Sequence, residues 1–111
     1  HQITDILRLM KEESGLPIER MRVDGGPTRD RFLMQFQADI ADVGVVVPAI
    51  EELSGMGPAY AAGIALGLYD AKTVFARPVR AEYAPQMDAG TRQKRCAGWS
   101  AAVEKALSRQ P

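Results

Sequence analysis

The sequence holds one cysteine, Cys96, and one histidine, His1, in 111 residues. A lone thiol excludes an internal disulfide, and a lone imidazole excludes a histidine-rich metal centre. Excess charge of either sign is also missing: fourteen Lys plus Arg balance fourteen Asp plus Glu. That balance argues against a dedicated binder of nucleic acid or anionic membrane, whose affinity rests on many uncompensated cations. The longest weakly polar stretch, residues 55–69, is too short and too glycine-rich to span a bilayer. The chain starts His-Gln-Ile inside a helical pattern, so no secretory leader is expected. The expectation is a soluble, cytoplasmic protein, and the missing initial Met points to a fragment. What is present is ordinary globular material, 46% hydrophobic and 25% charged, which excludes a disordered tail or a coiled coil. The length fits about one domain with a core of its own.

The neutral total conceals a polarity along the chain. Residues 1–31 carry six basic and six acidic groups, residues 32–76 one and five, and residues 77–111 seven and three. Such a pattern describes solvated faces as readily as surfaces that meet other protein parts. Ile3, Ile6, Leu7, Leu9 and Met10 recur at helical spacing, so a helix is predicted over 2–13, closed by Gly15 and Pro17. Residues 18–23 alternate and predict a strand, broken by Asp24-Gly25-Gly26-Pro27. Phe32, Leu33, Phe36 and Ile40 predict a helix over 28–41, and Gly44 leads into Val45-Val46-Val47-Pro48, a short buried strand.

A third helix is predicted from Ala59 to about Leu68, its small residues allowing tight packing on a sheet. Residues 73–83 contain Pro78 and predict an edge strand or extended connection. Residues 88–107 predict a last helix, with Trp99 as an anchor between helix and sheet. Alternation of this kind is an α/β layer, with a short, mainly parallel sheet and flanking helices. Two short strands make a poor sheet, so strands from elsewhere are expected to complete it.

Candidate chemistry concentrates at Gly25-Gly26. This turn joins a strand end to a helix start, where α/β proteins bind ligands, and two glycines let a ligand approach the main chain. From the motif alone a purely structural turn is the favoured reading, and no Gly-Lys-Ser/Thr follows to make a phosphate loop. Asp24, Asp30, Asp39 and Asp42 form no convincing catalytic pair, and Asp30, in the first helical turn, is favoured there by the helix dipole regardless of function. His1 has no evident partner. Cys96 lies beside Lys94 and Arg95 without a nearby histidine base, which favours an incidental thiol. Arg92, Lys94 and Arg95 form a basic cluster best read as a solvated helix face. Neither a catalytic set nor a metal set is visible.

Longer motifs say more. The run Arg22-Val-Asp-Gly-Gly26, a variable stretch, and then Leu33-Met-Gln-Phe-Gln-Ala-Asp-Ile40 resembles the C-terminal domain of the FGGY carbohydrate kinases, their glycerol kinase branch most closely. Residues 2–15 resemble the helix that precedes that strand. Gly57-Pro-Ala-Tyr-Ala-Ala-Gly63 and Arg95-Cys-Ala-Gly-Trp-Ser-Ala-Ala-Val103 resemble two further family segments in order and spacing. The likeness extends over nearly the whole chain.

The resemblance implies a partial ribonuclease H-like, actin-type ATPase domain. Residues 1–111 would be the C-terminal part of the nucleotide-side domain, without its upstream strands. It implies a parent kinase using ATP with Mg²⁺ on a polyol or sugar: glycerol first, a pentulose or tetritol second. Gly25 and Gly26 would approach the nucleotide. Asp30 falls where glycerol kinases usually carry Asn, and a carboxylate accepts hydrogen bonds but cannot donate as an amide does. The catalytic Asp and the polyol-binding residues would belong to the missing N-terminal kinase domain, so the fragment alone should be inactive, with no catalytic or metal-binding residue of its own. A homo-oligomer is expected of it, because it leaves sheet edge and apolar surface uncovered. From a different class, the same residues fit a non-catalytic α/β interaction module.

Overall fold

The computed structural model of the chain describes residues 1–49, 53–74 and 78–108. The first helix, α1 (Gln2–Ser14), ends where Gly15 takes a left-handed conformation at φ 65° and returns its N–H to the Lys11 carbonyl. A glycine supplies this bend without steric cost. Strand β1 (Arg20–Arg22) is shorter than the predicted segment and leads into the glycine turn. Next comes a single 3₁₀ turn, Gly26–Arg29, and only then α2 (Arg31–Ala41). The helix therefore starts three residues later than predicted. Asp30 explains the boundary: its carboxylate accepts the Leu33 N–H at 3.0 Å, making it the cap rather than a first-turn residue.

The Val45-Val46-Val47 run forms β2 (Gly44–Pro48), and β1 lies parallel to it with Met21 opposite Val45. A third strand, β3 (Val79–Tyr83), pairs antiparallel with β2 and closes the order β1-β2-β3. The α/β class holds, but the sheet is mixed, because the predicted edge strand runs antiparallel. Of the segment predicted as extended, the first two residues, Thr73 and Val74, close a short helix, α4 (Ala71–Val74), and residues 75–77 lie outside the described ones. The core is small. Met34 and Ala38 from α2 pack on Val45 and Val47, with Met21, Val23, Ala81 and Tyr83 around them.

Helix α3 (Leu53–Ala65) begins six residues before the predicted start and contains Pro58. A proline one turn into a helix forfeits a single backbone hydrogen bond, which the remaining turns outweigh. Its end is marked by Gly67 at φ 70°, with the Leu68 N–H returning to the Gly63 carbonyl. Among the described residues it makes no extended contact with the sheet, against expectation. Its small face instead receives its own following segment: the Tyr69 ring lies on Gly63 and meets Tyr60 edge-on at 5.9 Å.

The last helix, α5 (Ala89–Leu107), is capped by Asp88, which accepts the Thr91 N–H at 2.9 Å. Trp99 anchors it to α1 rather than to the sheet. Its indole N–H donates to Asp5 at 2.8 Å, and its ring stacks on His1 at 5.4 Å. His1, expected to be without partners, also meets Phe36 edge-on. Arg92 likewise departs from the solvated reading. Its guanidinium donates to the carbonyls of Asp39 (2.6 Å) and Met87 (2.9 Å) and pairs with Asp42 at 3.0 Å.

Asp39 completes this seam between α2 and the start of α5. It accepts the N–H groups of Gln86 (2.6 Å) and Met87 (3.2 Å) and the Gln35 amide (3.0 Å). Partial burial pushes its carboxyl upward. Those hydrogen bonds and the Arg92 charge outweigh burial and hold it below its ordinary value.

Large apolar side chains nevertheless remain outside, among them Phe32 (79% exposed), Leu66 (75%) and Ile6 (58%). The radius of gyration, 17.8 Å, exceeds the roughly 13 Å of a compact domain near this length. No helix among the described residues is long and apolar enough to cross a membrane.

Candidate functional site

The glycine turn sits at the carboxyl end of the parallel pair β1–β2, the edge where open α/β sheets receive ligands. Its two glycines have different reasons to be there. Gly25 lies at φ 89°, ψ 174°, a region essentially closed to residues with a side chain. Gly26 lies outside the positive-φ region, and a Cβ built on it meets no atom within 4 Å. The fold therefore demands glycine at 25 and not at 26.

The turn is held from within. Thr28, 4% exposed, donates both its N–H (3.1 Å) and its hydroxyl (2.7 Å) to the Gly25 carbonyl. Across a trans peptide the carbonyl and the next N–H point in opposite directions. The Gly26 N–H is thus directed away from Thr28, and it meets no acceptor among the described residues. A polar cleft of about 270 Å³ lies beside the turn, walled by Thr28, Arg29, Arg31, Arg80, Ala81 and Tyr83. Arg80, from β3, donates to the Thr28 carbonyl (3.1 Å) and hydroxyl (2.9 Å).

Gly25, Gly26 and Asp30 thus flank one short turn. Asp30 closes it through its N–H to the Pro27 carbonyl at 3.1 Å and spends one carboxylate oxygen on the helix cap. Asp24 and Asp42 stay exposed, and Asp42 ends α2 in a left-handed conformation. Among the described residues no group of three or more His, Cys, Asp and Glu side chains could hold a metal ion. Cys96 shares a cavity of about 100 Å³ with His1, Thr4, Asp5, Arg8, Trp99 and Ser100, remote in sequence from the turn. The sequence reading missed Thr28 and Arg80, which support the turn. The available signal was Pro48, a residue without an N–H at the end of a strand.

Residues 1–66 match the family model of the C-terminal domain of the FGGY carbohydrate kinases. The chain belongs to the FGGY family. Among solved structures it is similar to the glycerol kinase of Plasmodium falciparum, determined with ADP, with a TM-score of 0.81 and 29% identity. That likeness covers 96% of this chain and 22% of the Plasmodium kinase, so the FGGY chain described here spans about a fifth of that protein's length. The mixed sheet with flanking helices is accordingly part of the actin-like ATPase type of fold found in FGGY C-terminal domains. Within it, β1, the glycine turn and α2 all fall in the matched segment, whereas β3 and α5 lie beyond it.

Proposed function

We propose that this chain is the C-terminal, nucleotide-side portion of an ATP-dependent polyol or sugar kinase, and that its Gly25-Gly26 turn forms one wall of the nucleotide site. Gly26 carries this reading. Neither its φ nor any neighbour requires glycine, while its N–H faces outward, so close approach of a ligand to the main chain accounts for the missing side chain.

Phosphoryl transfer works by positioning the phosphates and neutralising their charge. The part of this chain is to present backbone N–H to the nucleotide and to fix the geometry of one wall. A parent N-terminal domain would supply the base that takes the acceptor's hydroxyl proton and the contacts to the acceptor. Mg²⁺ would arrive with ATP. Glycerol is the first acceptor to test, and a pentulose or tetritol the second. The cytoplasm is the compartment where this chemistry finds its ATP.

The test is a coupled assay of ADP release by the full-length parent with glycerol, tetritols and pentuloses. Turnover with one class names the acceptor, and Gly26→Val should raise the KM for ATP. An unchanged ATP KM in a folded Gly26→Val variant refutes the wall assignment. The exposed apolar side chains Phe32, Leu66 and Ile6 favour a second reading, a non-catalytic interaction module built on the same scaffold. Reading the upstream coding sequence separates the two: a kinase N-terminal half supports the first, and a start codon directly before His1 the second.

A further inference from the structure

Strand β2 ends in Pro48, which has no N–H to give to the ladder. Pairing with β3 changes at that point. Val47 stands opposite Ala81, but Pro48 stands opposite Val79, so Arg80 is an extra residue in a β-bulge. Bulges bend a strand and re-aim the side chain of the inserted residue. Here the Arg80 side chain reaches back to the turn that follows β1, 52 residues earlier in sequence, where one guanidinium nitrogen donates to both the carbonyl and the hydroxyl of Thr28.

We infer that Arg80, acting through Thr28, is the positioning residue that holds the outward Gly26 N–H in its ligand-facing orientation; the inference rests on the turn being the nucleotide wall. The chain of hydrogen bonds runs from the Arg80 guanidinium to the Thr28 hydroxyl, and from that hydroxyl to the Gly25 carbonyl. A hydroxyl has one proton to give. The charged donor behind it polarises the O–H and fixes which way it points.

The peptide plane between residues 25 and 26 turns through ψ of Gly25 and φ of Gly26, and both residues are glycine. No side chain resists that rotation. The two hydrogen bonds from buried Thr28 to the Gly25 carbonyl are therefore what sets the plane, and with it the direction of the Gly26 N–H. Arg80 secures Thr28 from a separate strand, so the sheet rather than the loop dictates the orientation.

The experiment is calorimetric titration of ADP into the full-length parent, with a thermal melt of each variant. Thr28→Val and Arg80→Ala should each weaken ADP about five- to tenfold, the scale of one net hydrogen bond. Thr28→Ser keeps the hydroxyl and should bind within about twofold of the parent. Because the two residues act in series, the double variant should be about as weak as Thr28→Val alone, whereas independent contributions would multiply. The acceptor's affinity should not move. If Arg80→Ala fails to melt cooperatively, Arg80→Met, which keeps the packing stem and removes the donors, reads the same effect. Parent-like ADP affinity in Thr28→Val and Arg80→Ala, with weak binding in Gly26→Val, overturns the positioning role and leaves the wall assignment standing. Parent-like affinity in Gly26→Val as well overturns both.

Discussion

Adjacent glycines with different reasons for being glycine allow stability and nucleotide binding to be separated by one-methyl changes. At Gly25 the backbone sits at φ 89°, ψ 174°, and placing a Cβ there costs about 1–3 kcal/mol. Crowding adds little, because the built Cβ comes no closer than 3.8 Å to Pro27. In a full-length protein between four and five times as long as this chain, about 2 kcal/mol corresponds to a fall of roughly 2 °C in melting temperature. Gly26→Ala meets nothing within 4 Å and no positive φ. It should leave the melt unchanged or raise it slightly, since alanine loses less chain entropy on folding by about 0.4–1 kcal/mol.

The functional order is the reverse. A methyl on Gly26 stands where the nucleotide approaches and should raise the ATP KM roughly tenfold, equivalent to about 1.4 kcal/mol, with Gly26→Val worse. The assay is initial-rate ADP release across ATP concentrations, run beside the melts on the same preparations. Equal loss of stability in the two alanine variants would refute the conformational distinction. A parent-like ATP KM in Gly26→Ala and Gly26→Val would refute the ligand explanation.

Three further outcomes are expected. Asp30→Asn keeps a good helix cap, because asparagine accepts the Leu33 N–H as aspartate does. Calorimetry should show unchanged stability and ADP binding tighter by about 1 kcal/mol, and equal or weaker binding would confine Asp30 to capping. Asp39, held below its ordinary value of 3.8 by the Gln86, Gln35 and Met87 hydrogen bonds despite burial, adds stability that is complete above that value. That stability is lost as pH falls through the depressed folded pKa. Asp39→Asn should lower stability at pH 7 by about 1 kcal/mol, discounted for solvent screening, and flatten the acid limb of stability against pH; an unaltered acid limb contradicts the seam. The 111-residue chain on its own should self-associate through its exposed apolar faces and release no ADP with glycerol and ATP. Sedimentation showing a monomer that melts cooperatively above about 60 °C, or any glycerol-dependent turnover, would contradict this.

Local signals in the sequence carried α1, α2, β2 and α5, because each has a strong period, a cap or a β-branched run. Gly15, Asp88 and the Val45-Val46-Val47 stretch act over a few residues and are written where they act. The glycine turn and its family were legible for the same reason, as contiguous motifs. What remained hidden depends on partners distant in sequence. Asp30 looked like a first-turn residue until the 3₁₀ turn moved the helix start beyond it. Trp99 found Asp5 and His1 rather than the sheet, and Arg92 became the tie across Asp39, Asp42 and Met87. Pro48 could be read as a strand end. Only the pairing of β2 with β3 showed that the ladder shifts by one residue at Pro48, and that the resulting bulge delivers Arg80 to Thr28. Short-range propensities decide where elements begin and end, whereas hydrogen bonds spanning some fifty residues exist only once the sheet has brought their ends together.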